Sequence, residues 1–207
     1  MTHRPLSEDL ESILQGGAGA EGLTLNRLLD QTEGRGLYLV VILLNLPFVV
    51  PIPLPGVSVI FGLVTLFLAV RLAFELPPHL PAFIAGRSFP REKLKPVLRG
   101  SVAILKYIER WIRPRRTEWM TWQAVRSAHA LVVAWLAFLL ALPIPPVPPF
   151  TNFLPGLSIV IMAAAMMEED GVIIFLGYFL SAGTTIYFIF IARMVIEIFV
   201  GFAHRYF

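Results

Sequence analysis

The chain contains no cysteine. Disulfides, thiolate-bound metals, thiol redox chemistry and a cysteine nucleophile are therefore excluded together. Charge is also scarce. Only 15% of the 207 residues are charged, while 57% are hydrophobic and the mean hydropathy is +0.73. Soluble domains carry about 25% charged and about 45–50% apolar residues, so both figures depart in the same direction. A soluble fold of this length would bury a core but would lack the polar material to cover it. The bilayer is the expected solvent.

No basic-then-apolar leader opens the chain, because the first 22 residues are acidic and interrupted. The sequence is thus expected to start at Met1, with its own apolar segments acting as insertion signals. His3, His79, His129 and His204 are scattered without metal-ligand spacing. No Ser-His-Asp set or catalytic carboxylate pair stands out. Neither a metal, a cofactor nor an enzymatic activity is expected. The glycines of 17–22 match a dinucleotide fingerprint by letters, yet they follow no strand and open no βαβ unit, so that reading is rejected.

What is present is patterned. Residues 6–36 read as an amphipathic preface, with Ser7 before an acidic first turn and Leu10, Ile13 and Leu14 on one face. Residues 37–75 form an apolar block broken by Pro47, Pro51, Pro53 and Pro55. Its first leg of 14 residues covers about 21 Å, short of the ~30 Å hydrocarbon core, and the prolines forbid one continuous helix. A re-entrant or deeply inserted hairpin is the expected shape.

Residues 76–127 are basic and interfacial. Of 17 Lys and Arg, 11 lie between Arg87 and Arg126, alternating with apolar residues at helical spacing and flanked by Trp111, Trp119 and Trp122. Short basic loops stay in the cytoplasm, so this segment is expected inside, against anionic lipid headgroups rather than nucleic acid. Residues 128–171 repeat the earlier block. LLNLPFVVPIPLPGVS at 43–58 and LLALPIPPVPPFTNFLPGLS at 139–158 share the Leu-Leu-x-Leu-Pro opening, the Pro-rich tip and the Pro-Gly-x-Ser exit. Pro-interrupted apolar repeats point to a transporter-like core, although duplication of a membrane-anchoring hairpin would leave the same trace. Residues 172–207 then form a C-terminal transmembrane helix, or a hairpin broken at Gly183-Thr184-Thr185. The fold class is all-α, an integral membrane protein with two Pro-broken helical repeats. Hairpins entered from one side make the repeats parallel, distorted spans make them inverted, and length favours hairpins.

The segments LTLNRLLDQTEGRG at 23–36, ELPPHLP at 75–81 and above all TNFLPGLSIVIMAAAMMEEDG at 151–171 carry a family likeness. Over about residues 6–190 the chain resembles the ExoD exopolysaccharide-synthesis family of bacterial inner-membrane proteins. Glu169 stands where that family's Glu-Arg-Asp-Gly has its Arg. The resemblance implies a multi-pass protein of the bacterial inner membrane, engaged in making or exporting exopolysaccharide, and supplies no molecular activity.

Candidate sites follow from the breaks. The two tips, with Pro55 and Gly56 in the first and Asn152, Pro155 and Gly156 in the second, would offer free helix-start N–H groups to a small anionic or lipid-linked substrate. Asn152 serves equally well as a plain helix cap. Glu169 and Asp170, at an acidic helix end, and the i,i+4 pair Arg193–Glu197 are candidates for coupling or gating, or for a solvated stop and a structural ion pair. Gly177, Ser181 and Thr185 put small residues on one helix face, a pattern that allows packing within the chain or a homo-oligomer. Two other functional classes remain beside transport: a membrane scaffold for polysaccharide enzymes, and a proton- or cation-coupled exchanger in pH homeostasis.

Overall fold

The apolar run ahead of the first proline cluster forms α1, Gly36–Val49. Pro47 is accommodated in its last turn, where the missing N–H costs one ladder bond close to the helix end. The computed structural model describes residues 36–49, 56–76, 118–144 and 150–206, and all the helices named below lie within them. The preface before Gly36, the basic segment at 77–117 and the Pro-rich tips at 50–55 and 145–149 lie outside the described residues.

Gly56 adopts φ 78°, a left-handed conformation open to glycine, and launches α2, Val57–Ala73. A short 3-10 turn at Glu118–Thr121 precedes α3, Gln123–Ala141. That helix stops before Pro143, whose ring disfavours the helical conformation at Leu142; Leu142 is extended. Then come α4, Phe153–Met167, and α5, Ile173–Tyr206. Pro155 is tolerated in the first turn of α4, where its N–H would have no partner anyway.

The exits of α2 and α4 are alike. At the first, Leu76 N–H bonds to the Arg71 carbonyl (2.9 Å) and Glu75 N–H to that of Leu72 (3.3 Å). At the second, Asp170 N–H reaches the Ala165 carbonyl at 2.9 Å. These are Schellman closures, which require a left-handed residue just past the helix. Glu75 (φ 51°) and Glu169 (φ 53°) fill that place rather than glycine.

The helices pack as an antiparallel bundle in which α2 lies along α3 and α1 along α4, with α5 against α4 and, more lightly, α3. Side-chain contacts fix the ends. Ser127 donates to the Ala73 carbonyl (2.7 Å), and Glu75 meets Arg126, so the exit of α2 adjoins the start of α3. At the opposite end a Cβ on Gly62 would stand 2.6 Å from the Ala141 nitrogen, and one on Gly156 would stand 2.8 Å from the Phe48 Cβ. The end of α1, the start of α2, the end of α3 and the start of α4 therefore lie at the same end of the bundle.

The core runs from Leu37 through Ile174, with α1 and α4 buried on nearly every side. A helix that is apolar all round belongs in such a place. Two helices, Gln123–Ala141 and Ile173–Glu197, are long and apolar enough to cross a membrane; α1, α2 and α4 are shorter apolar helices.

The expected break at Gly183-Thr184-Thr185 is absent, and α5 runs through it unbroken. Thr184 and Thr185 donate their hydroxyls to the carbonyls of Leu180 and Ser181, each at 2.8 Å, so both polar groups are satisfied without leaving the helix. The small-residue face is also spoken for: Gly177 abuts Met162 of α4, and Ser181 is buried. That stripe packs within the chain.

Candidate functional site

The tip residues divide. Pro55 lies outside the described residues, and Gly56 is exposed at the head of α2. Gly156 does not offer the free amide expected of it. The backbone of α4 starts earlier, with Leu154 N–H bonded to the Phe150 carbonyl (3.0 Å) and Gly156 N–H to that of Asn152 (3.1 Å). Gly156 and Pro155 are buried, and Gly156 serves the close crossing of α4 over α1 at Phe48 and Asn45. The Asn152 side chain is half-buried and makes no capping bond.

The candidate coupling residues are not one site. Asp170 is fully buried, and its Oδ1 accepts from Val172 N–H (2.9 Å) and Ile173 N–H (3.2 Å). Its carbonyl takes the first helical bond, from Ile174 at 3.1 Å. Asp170 is the N-cap of α5, with a carboxylate at the positive end of the helix dipole. Replacing it with alanine should cost about 1–2 kcal/mol. Thermal unfolding in detergent should therefore show a lower midpoint for Asp170→Ala, with Asp170→Asn close to the parent.

Arg126 lies 3.9 Å from Glu75 and within electrostatic reach of Tyr38 and Glu169. This network is largely solvent-exposed, and it ties the start of α1, the exit of α2, the start of α3 and the α4–α5 link together at one end. Arg193 and Glu197 are more than 20 residues along α5, about 35 Å away, and both are exposed.

Three polar pairs were not singled out by sequence. Asn45 on α1 is completely buried; its amide donates to the Val41 carbonyl (2.8 Å) and to Thr65 Oγ1 on α2 (2.9 Å). Ser158 on α4 meets Thr184 on α5 at 3.1 Å. His129 on α3 meets the Tyr178 hydroxyl on α5 at 2.6 Å, edge-on to Trp119. Asn45 Oδ1 and His129 Nε2 are buried without a hydrogen-bond partner among the described residues. The signal for Asn45 was available: it is the only amide side chain in α1. For the other pairs no local pattern exists, because each joins two different helices across 26 or 49 residues.

Residues 6–190 match the family model described as "Exopolysaccharide synthesis, ExoD". The chain belongs to the ExoD family. That family is implicated in exopolysaccharide synthesis, and the two long apolar helices agree with membrane association. Protein ExoD of Rhizobium meliloti is 30% identical over 187 residues, 90% of this chain and 77% of that protein. The uncharacterized protein slr1875 of Synechocystis is 26% identical over 177 residues, 85% of this chain and 82% of its own. No solved structure matches. The ExoD match spans all five helices up to the middle of α5, so the bundle and both tips lie within the family's shared part.

Proposed function

We propose that this ExoD-family chain is a multi-pass inner-membrane component of exopolysaccharide synthesis or export, and that its paired hairpins move a small anionic or lipid-linked substrate. The observation that carries the membrane reading is an apolar exterior around a core that is itself mostly apolar. On α2 the outward stripe is Ile60, Leu63, Phe67, Val70 and Phe74, and on α3 it is Leu131, Trp135 and Phe138, all exposed. Inside are Asn45, Thr65, Ser158, Thr184 and His129. A water-soluble bundle would carry polar residues along those outward faces.

Two features support transport. The helix pairings are reciprocal, since exchanging the first hairpin for the second maps α1 on α4 onto α3 on α2. That reciprocity fits an internal repeat whose two hairpins enter from the same side. Of the buried polar pairs, Asn45–Thr65 joins the two legs of the first hairpin and the other two join the second hairpin to α5, and polar groups at membrane depth mark substrate paths. The basic segment would hold anionic headgroups on the cytoplasmic face.

A scaffold is the second reading, favoured by the direct backbone-to-backbone contact of Gly62 with Ala141, which makes the bundle rigid near its tips. Single cysteines separate the two. Gln123→Cys, Val49→Cys and Thr151→Cys are made one at a time and labelled with an impermeant thiol reagent in intact cells and inverted vesicles. Transport predicts that Gln123→Cys reacts from the cytoplasmic side only and that both tip positions react with water-borne reagent. Thr151 is buried in the structure, so its reaction requires a watery path at the tip. If Gln123→Cys labels and both tips stay silent, the scaffold reading replaces transport; if Gln123→Cys labels from both sides or the periplasm alone, the cytoplasmic placement is wrong.

A further inference from the structure

The face of α5 turned away from the bundle carries a seam. Taking 100° per residue, the buried positions Gly177, Ser181, Thr184, Phe188 and Ile191 fall on one side. On the opposite side, at alternating spacings of four and three, stand Phe179, Gly183, Ile186, Phe190, Arg193, Glu197 and Val200, every one exposed. Spacing of this kind keeps a single face toward a second helix over several turns.

Two features distinguish this seam from an ordinary lipid-facing stripe. Arg193 and Glu197 lie in it, flanked by Phe190 and Val200 on the same face and by Met194, Val195 and Ile196 between them. Neither has a hydrogen-bond or ion-pair partner among the described residues. Arg193 stands 20 residues, about 30 Å, past Ile173, and charges near the edge of the hydrocarbon turn to a bundle interior, snorkel or pair. These two cannot turn inward, because the bundle is on the other side and has ended: residues 192–197 are exposed all the way round the helix. Length points the same way. The 34 residues of α5 extend about 51 Å, against ~30 Å of hydrocarbon, so a substantial apolar stretch exceeds what lipid covers. Tilting by 40° still leaves about 39 Å.

We propose that this seam is a homodimer interface, with α5 of a second copy packed parallel to the first. The occupant is set by charge. The seam offers one cation and one anion a single turn apart, and a second copy in the same membrane presents the same two at the same depth. Arg193 of each copy then reaches Glu197 of the other, and the four charges close into a neutral set. A partner carrying one sign of charge would leave the other unpaired. The open space above Gly183 lets the two helices approach closely in the middle of the seam. The dimer is independent of which substrate, if any, the bundle moves.

The test uses the absence of native cysteine. Full-length Ile186→Cys, Phe190→Cys and Val195→Cys are oxidised in native membranes, and dimers are read on a non-reducing gel. A parallel seam brings Ile186→Cys and Phe190→Cys each against its own copy, so both should cross-link at least tenfold faster than Val195→Cys, which is exposed but faces the opposite side. Arg193→Glu should abolish the cross-link at Ile186→Cys, and adding Glu197→Arg should restore it. Rescue by the double swap shows that the single variant was folded. Equal rates at all three positions, or a seam cross-link indifferent to Arg193→Glu, would overturn the interface. Cross-linking of Phe190→Cys only with Val200→Cys would overturn the parallel register.

Discussion

Gly62→Ala should be among the most damaging single substitutions in the bundle. The added methyl would sit 2.6 Å from the nitrogen, 2.8 Å from the Cα and 2.9 Å from the Cβ of Ala141. All three contacts are far inside van der Waals range, and two are backbone, so no rotamer change relieves them. The helices α2 and α3 must separate along their shared length. Overpacking of this kind costs about 1–3 kcal/mol, occasionally more, against a gain of about 1 kcal/mol from replacing glycine within a helix. The effect should sit at the upper end, because the obstacle is main chain. Gly177→Ala is the useful comparison: its methyl would meet mainly the side chain of Met162, which is flexible and can move aside. Unfolding in detergent should show Gly62→Ala strongly destabilised and Gly177→Ala near the parent. Equal losses would mean that the α2–α3 crossing is looser than the structure gives.

Asn45→Asp should be still more costly, and more so than Asn45→Leu. The amide supplies two donors, to the Val41 carbonyl and to Thr65, at a site with no exposed surface. Aspartate has no N–H to give, and ionised it would place an unpaired charge beside a carbonyl oxygen. An uncompensated buried charge costs roughly 3–5 kcal/mol in proteins, and the carboxyl would be driven to its neutral form. Leucine removes the donors and the lone Oδ1 together, keeps much of the volume, and leaves Thr65 to find another partner, a loss of about 1–2 kcal/mol. Because Oδ1 has no partner among the described residues, part of the polar cost at this position is already present in the parent. The check is the ranking of midpoints: parent, then Leu, then Asp. If Asp matched the parent, water or a cation would have to reach Asn45, and the interior would be open at that depth.

Much of this architecture could be read from residue order. The all-helical class, the 14-residue first leg and its end at the proline cluster follow from helix rise and the missing proline N–H, and α1 ends at Val49 just ahead of Pro51. Capping was harder. The run Glu168-Glu169-Asp170-Gly171 reads as an acidic cluster, yet its members have separate tasks: Glu169 closes α4 in a left-handed turn, and Asp170 opens α5. Only backbone geometry tells them apart. The Gly-Thr-Thr stretch looked like a break because all three residues are weak helix formers, while tertiary contacts and back-bonded hydroxyls keep it helical. Gly156 was misplaced as a helix start because proline-glycine suggests a turn; α4 had already begun at Phe150–Phe153. Interhelical polar pairs such as His129–Tyr178 leave no local trace at all.

The burial of α1 has a consequence for synthesis. Its long-lasting neighbour α4 is about a hundred residues later in the chain, so α1 leaves the ribosome well before the surface that will cover it exists. With α2 as its early companion, α1 must wait for that surface with its Asn45 side not yet enclosed. Assembly is then governed by a late, long-range docking step, which is the slow and error-prone kind. A ribosome stalled between α3 and α4 would hold a first hairpin whose α1 still lacks the helix it packs against most extensively.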